Sequence, residues 1–333
     1  MLSRRRRLQL HINLFFMTKK LFFLALALLL SLNGAWAQLG LGNPKQVAQV
    51  KSQPLVVLLR DEDPGTLKKL AKKPEELADY KSYIADYNTQ IQELATKLWK
   101  FSPSVEFRPE SELEALRKAK GAARGVLQHQ EVYLTGPRNH VAGTPTTGAQ
   151  ARYYHNAEKV SAMAVYLVGK GDKDRVAQML LAPGPIYTSD LIFSIHNLQQ
   201  YLDARSKGRA GSNIRAEIAQ NGKLLRKKIL LIDEEDIKGK LTAADIKQSY
   251  PFPYEVVPRS KIEEAVSSGD ARYACIRLLP ATESIMVQVA MDAKDGTMLA
   301  MSKPNMVRVA GIGGGQNIGK NNLKDFADCA RGK

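Results

Sequence analysis

The sequence predicts an α/β (α+β) fold made of two tandem, divergent copies of one β-α-β-α-β-β(-β)-α module. Three observations predict it. Five sequence blocks recur in the same order along the chain. Each copy opens on a short run that is apolar on both faces, as a strand covered by helices on both sides must be. Apolar residues then recur at three-to-four spacing, the period of helices packed on such a sheet.

The blocks are specific. Residues 54–63 (Pro-Leu-Val-Val-Leu-Leu-Arg-Asp-Glu-Asp) answer to 228–236 (Lys-Ile-Leu-Leu-Ile-Asp-Glu-Glu-Asp), an apolar run closed by carboxylates. Phe101–Leu113 matches Tyr250–Ile262 at a constant offset of 149, pairing Glu106 with Glu255, Pro109 with Pro258 and Ser111 with Ser260. Gly121–Arg124 matches Gly269–Arg272, Ser161–Val165 matches the stretch from Ser284, and Asn197–Ala204 matches Asn322–Cys329. One such match arises easily by chance; five collinear ones mark a duplication.

In order, the first copy starts with a strand at Leu55–Leu59. A long helix follows from Pro74 to about Trp99, with Leu77, Tyr80, Ile84, Tyr87, Ile91, Leu94 and Leu98 on one face. Val105–Phe107 is a strand ended by Pro109, and Ser111 is expected to cap a short helix holding Leu113 and Leu116. Two or three strands come next, then a helix whose stripe is Leu191, Ile195, Leu198 and Leu202. The second copy repeats this with a strand at Ile229–Ile232, a short helix behind a Thr242/Asp245 capping box, and a strand at Tyr254–Val257. Its next helix is expected to be capped by Ser260, with Ile262 and Val266 inward. Asp292-Ala-Lys-Asp295-Gly296 is a hairpin signal joining Met286–Met291 to Met298–Met301. Residues 206–213, rich in Ser, Gly and Asn, read as linker, setting lobes at 38–208 and 214–333 with 209–213 between them.

The N-terminus reads as an export signal. Lys19-Lys20 precedes an apolar run from Leu21 to Leu32, and Ala35-Trp36-Ala37 follows, which places cleavage between Ala37 and Gln38. The run is shorter than the ~20 residues of a spanning helix. Arg4–Arg7 fits a twin-arginine signal, but Met17 followed by Lys19-Lys20 is a complete signal start and is the preferred initiator. A periplasmic or secreted protein without a transmembrane span in its mature chain is expected. Residues 1–37 hold six of the 49 basic and none of the 33 acidic residues, so the exported chain stands at +10 against +16 overall. That balance favours an anionic glycan or lipid component, or an envelope protein, as partner, and nucleic acid is not expected. Cys275 and Cys329 are a potential disulfide, although Cys275 lies in an apolar run where a buried thiol fits as well.

The second copy carries a recognisable string. Tyr254-Glu-Val-Val-Pro-Arg259-Ser-Lys-Ile262 is followed by Ala271-Arg-Tyr-Ala-Cys-Ile, then by Val287-Gln-Val-Ala-Met-Asp292-Ala-Lys-Asp-Gly296-Thr-Met-Leu299. Over about 75 residues this resembles the α/β domain of curli-secretion-type envelope proteins and the TolB amino-terminal domain. The first copy departs from the pattern, with Gly169-Lys-Gly171-Asp-Lys-Asp174 in place of the hairpin. The resemblance implies a role in envelope assembly or scaffolding.

No catalytic motif, cofactor signature or metal-ligand spacing stands out. Asp61–Asp63 and Asp233–Asp236 lie where a cation could bind, but their spacing fits no calcium loop and reads as solvated acids before a helix. Gly314 to Lys320 mimics a phosphate loop, yet Asn321 stands where Ser or Thr should hold magnesium. His129, Glu131 and His155 form a weak candidate metal set, and His196 is expected on a helix surface. The main asymmetry is the insertion 131–159, which the second copy replaces with four residues. Long insertions on a shared scaffold often carry function. Its Tyr133, Arg138, His140, Arg152, Tyr153 and Tyr154 are the candidate binding residues, since Tyr and Arg anchor interfaces. The expected function is non-enzymatic binding or scaffolding, with a hydrolase or metal-dependent enzyme using an inter-lobe cleft as the alternative.

Overall fold

The computed structural model describes residues 42–133, 140–141, 159–169, 172–182, 184–209, 211–237, 241–282, 285–303, 305–306 and 317–332. In the first sheet, β1 (Leu55–Leu59) lies between β2 (Val105–Pro109) and β3 (Arg124–Tyr133), parallel to both. β5 (Lys159–Gly169) and β6 (Asp172–Leu180) continue antiparallel beyond β3, and β4 (His140–Val141) pairs with the end of β3. In the second sheet, β7 (Ile229–Asp233) lies between β8 (Tyr254–Val257) and β9 (Tyr273–Thr282), again parallel to both. β10 (Ile285–Asp292) and β11 (Met298–Met301) continue antiparallel, and β12 (Asn305–Met306) pairs with β10. The orders β2-β1-β3-β5-β6 and β8-β7-β9-β10-β11 are the same. The sequence repeat is therefore a repeat of topology.

Register refines the repeat. Leu55 stands beside Val105 and Gly125, and Leu230 beside Tyr254 and Ala274, so the 149-residue offset holds for both neighbouring strands. Gly121 and Gly269 are one residue out of that step. Both adopt positive φ (126° and 67°) where a helix gives way to the next strand; the loops, 119–123 and 268–272, are equally long, and the glycine stands one place earlier in the second. Val165 faces Leu127 and Ala290 faces Ile276, an offset of 125 that Asn197 and Asn322 share. The Ser161 and Ser284 pairing is thus two residues off.

Among the described residues, ten helices clothe the sheets. α1 (Pro44–Ser52) precedes β1; α2 (Pro64–Leu70) and α3 (Pro74–Leu98) join β1 to β2; α4 (Leu113–Lys118) joins β2 to β3; α5 (Thr188–Ser206) follows β6. α6 (Gly211–Asn221) precedes β7; α7 (Glu234–Ile237) and α8 (Ala243–Ser249) lead to β8; α9 (Arg259–Ser267) leads to β9; α10 (Lys320–Arg331) ends the chain's described part. Thr242 and Asp245 do form the capping box of α8. The two serine caps do not form. α4 starts after a 3-10 turn at Glu110–Glu112, where the Ser111 N–H donates to Asp61 at 2.7 Å. α9 is entered through Pro258, whose carbonyl accepts the Lys261 N–H at 3.0 Å, which leaves Ser260 inside the helix. α6 begins at Gly211, within the stretch read as linker, because Ile218 anchors that segment in the central core.

The faces show how the modules stack. Leu55, Val57, Leu127 and Val165 of the first sheet share one core with α3, α5, α9 and with Leu231, Cys275 and Val289 of the second. The opposite face of the first sheet, Val56, Leu58 and Val126, meets Leu113 and Leu116 of α4. The opposite face of the second, Leu230, Ile232 and Ile276, meets α8 and α10. In the first module α3, before β2, and α5, after β6, thus face inward; in the second their counterparts α8 and α10 face outward. The modules are stacked front to back over one shared core. α5 lies between both sheets, so its buried set extends beyond Leu191, Ile195, Leu198 and Leu202 to Ile192, Phe193 and Tyr201. A stripe suffices for a helix on one sheet; a helix between two sheets needs more. Cys275 and Cys329 are both free thiols, and burial pushes Cys275 up to about 12.

Candidate functional site

In the parallel part of an α/β sheet, ligands collect at the carboxyl ends of the strands, where chain direction splits. Arg60 is the first residue beyond β1. Asn88 of α3 fixes its backbone from both sides: Arg60 N–H donates to Asn88 Oδ1 at 2.8 Å, and Asn88 Nδ2 donates to the Arg60 carbonyl at 2.9 Å. The guanidinium then lies against two rings of the same helix, 4.3 Å from the Tyr87 centroid and 5.2 Å from that of Tyr83. Tyr83 and Tyr87 are four residues apart, so one helix face presents both. Tyr87 is buried and its hydroxyl reaches Met163 Sδ at 4.0 Å, whereas Tyr83 is 40% exposed.

His129 of β3 completes the cluster. Arg60 Nη2 lies 2.6 Å from its Nδ1 and 3.1 Å from its Nε2, and the imidazole meets Tyr87 edge-on at 5.8 Å. Arginine only donates, so the ring nitrogen it meets must be bare. Burial and the neighbouring guanidinium agree, holding His129 well below its ordinary value and therefore neutral. Burial likewise raises the Tyr87 phenol. The nearby acids are committed elsewhere. Asp61 accepts from Ser111 N–H, Asp63 caps α2 through Thr66 N–H at 2.6 Å, and Glu62 faces Lys81 at 3.9 Å. Among the described residues no carboxylate pairs with Arg60.

The same end of the second sheet is built differently. Arg259 lies 2.5 Å from Asp233 and 3.7 Å from Asp236, and Arg277 of β9 binds Asp190 of α5. The Tyr187 ring faces both guanidiniums at 5.5 and 5.9 Å. Glu263 of α9 accepts from Ser189 N–H at 2.9 Å and Ser189 Oγ at 2.6 Å. Burial raises Asp236 despite Arg259. Here the charges are neutralised internally and the first module's helix closes over them. Asp233 and Asp236 are thus committed to Arg259, while Glu234 and Glu235 are exposed in the first turn of α7, as solvated acids at a helix start.

The other predicted residues fall as follows. Tyr133 and His140 pair across β3 and β4. Their side chains, and Arg138, Arg152, Tyr153, Tyr154, His155, Ala37 and Gln38, lie outside the described residues. Tyr133 is four residues beyond His129 on the same strand. The His129 metal set is displaced by that cluster, since a permanent cation against the imidazole opposes a second one. Among the described residues, no three His, Cys, Asp or Glu side chains gather as metal ligands would. Gly319 is the N-cap of α10, and Lys320 pairs with Asp245 at 2.7 Å. His196 is not on an open surface: its Nε2 lies 3.0 Å from Thr297 Oγ1 of the second module, and burial lowers its pKa. Arg60 itself is the residue sequence reasoning missed. Its signal was a basic residue at a strand end followed by Tyr83 and Tyr87 four residues apart; the apolar stripe takes in Tyr87 and leaves Tyr83 out.

Fold and site thus define an α/β protein of two stacked modules with an uncompensated arginine at one strand end. No family model, curated protein or solved structure matches the chain. No described helix is long and apolar enough to cross a membrane.

Proposed function

We propose that this is an exported, non-enzymatic binding protein that holds an anionic group of an envelope component, a lipid or glycan, against Arg60. One observation carries the reading: a guanidinium stacked on two tyrosines and bonded to a neutral imidazole, with no carboxylate partner among the described residues. Arg60 is half-buried, so its guanidinium stays reachable from solvent, and a planar fork that is already oriented suits a carboxylate or phosphate in two-point contact. Tyr83 gives the ligand an exposed ring at the rim. The basic balance of the exported chain supports the same partner class. The test is cosedimentation with phosphatidylglycerol vesicles against phosphatidylcholine vesicles, together with titration of inorganic phosphate followed by NMR. Arg60→Ala should weaken both signals at least tenfold, and Arg60→Lys should rescue little, because an ammonium does not reproduce the stacked fork. Equal binding by wild type and Arg60→Ala would remove the proposal.

A further inference from the structure

A cavity lies at the junction of the modules, on the flank of α5. It measures about 490 Å³, within the range of small-molecule sites, and is lined by α1, the segment after α3, α5 and the tip of the β10–β11 hairpin. Its wall on α5 is a polar stripe, His196, Gln199, Gln200 and Asp203, at positions i, i+3, i+4 and i+7. On a helix otherwise sunk between two sheets this stripe is conspicuous, because the neighbouring positions Ile195, Leu198, Tyr201 and Leu202 are all buried. A stripe that merely met water would need no facing wall. This one faces Lys51 and Lys100.

The groups differ in chemistry. Lys51 Nζ is 4.0 Å from Asp203 Oδ1 and 3.5 Å from Ser206 Oγ, and Asp203 is shared with Lys207 at 2.6 Å. Among the described residues, Lys100 Nζ donates to the Thr96 carbonyl alone, at 3.4 Å. The lining therefore carries two ammonium groups against one carboxylate that a third lysine already balances. His196 is held neutral by burial while its Nε2 meets Thr297 Oγ1, so its other ring nitrogen is a neutral hydrogen-bonding group. Gln199 is a fixed strut: its side-chain oxygen accepts from the Lys100 and Phe101 N–H groups, and its Nε2 donates to Leu98 O at 2.9 Å. It holds Lys100 at the rim.

We propose that this junction cavity binds a hydroxylated carboxylate of sugar-acid type. The two lysines take the carboxylate. Asp203, His196 and Thr297 take ring hydroxyls, a mixture of donors and acceptors that a bare anion would not use. A dianionic phosphate is disfavoured by the Asp203 carboxylate in the same wall. Because Thr297 belongs to the second module and the rest to the first, such a ligand bridges the two.

The test is calorimetric titration of the full exported chain with D-galacturonate, with D-galactose and acetate as controls. Saturable galacturonate binding at least tenfold tighter than either control is expected. The double variant Lys51→Ala/Lys100→Ala, both at exposed or half-exposed positions, should lose at least tenfold, and Thr297→Val should lose severalfold with folding checked by circular dichroism. Arg60→Ala should leave galacturonate binding unchanged, which separates this site from the strand-end site. Absence of saturable galacturonate binding, equal binding of acetate, or full retention in the double lysine variant would each overturn the proposal.

Discussion

Arg277 on β9 and Asp190 in the first turn of α5 form an ion pair between the modules, and both side chains are almost sealed from solvent, at 2% and 3% exposure. Asp190 also accepts from the Tyr187 N–H at 3.0 Å, so one carboxylate caps the helix and clamps the second sheet to it. Arg277 Nε makes no hydrogen bond among the described residues, so the pair carries its desolvation with little to spare. Burial of an ion pair is weak evidence for stability, but breaking one leaves a lone charge in the core. Arg277→Met alone should lower unfolding free energy by about 3–5 kcal/mol. Adding Asp190→Asn, which keeps a capping side chain without the charge, should restore a large part. Urea unfolding of the two variants checks both numbers, and equal destabilisation by single and double variants would count against the lone-charge account.

Acid should loosen the fold before the carboxylates titrate. His129 and His196 both have folded-state values below the ordinary one, by burial first, with the Arg60 charge second at His129. The unfolded chain therefore binds protons that the folded chain refuses. Their contribution is complete above about pH 6.5 and is lost as pH falls from there toward the lowered values. Thermal midpoints measured between about pH 7.5 and 5 should fall, and His129→Gln should flatten part of that slope.

Gly296 is another joint between the modules. Its φ is +82°, its carbonyl accepts Asn197 Nδ2 at 2.9 Å, and a Cβ there would stand 3.1 Å from Phe193 Cα. Gly296→Ala combines left-handed backbone strain, about 1–3 kcal/mol, with a push against α5. A loss within or slightly above that range by chemical denaturation is the expected outcome. A neutral effect would mean that the hairpin tip does not bear on the helix.

The first module should not stand alone. Residues 38–208 would leave bare the side of α5 that the second module covers, along with Arg277's partner Asp190. Expressed by itself, that piece should bind a hydrophobic dye strongly and elute as aggregate in size-exclusion chromatography. A monomeric fragment with cooperative unfolding would show that the shared core is dispensable.

Much of this architecture was legible in the chain. The strand at Leu55–Leu59, the helix from Pro74, the Thr242/Asp245 box and the Asp292–Gly296 hairpin are all local signals: apolar period, proline at a helix start, a capping pair, a glycine where φ must be positive. α1 and α2 went unseen although each has its own cap, Asn43 and Asp63, because both are short and carry few apolar positions. The site was less legible. Tyr80 and Tyr87 look alike in a helical stripe, and only burial separates the core phenol of Tyr87 from the half-buried one of Tyr80.

By itself the sequence determined the repeat, since collinear blocks at fixed offsets need no contacts to be seen, and most of the elements, since those follow from neighbours in the chain. Tertiary structure decided how the copies meet. Front-to-back stacking places the helix after β6 between two sheets, pairs Asp190 with an arginine 87 residues away and leaves Arg60 without an acid. Those outcomes depend on which face of each sheet is covered. Both faces of these central strands are apolar, so the pattern along the chain is equally compatible with either face turned inward. The choice is made where distant charges and side-chain volumes fit together.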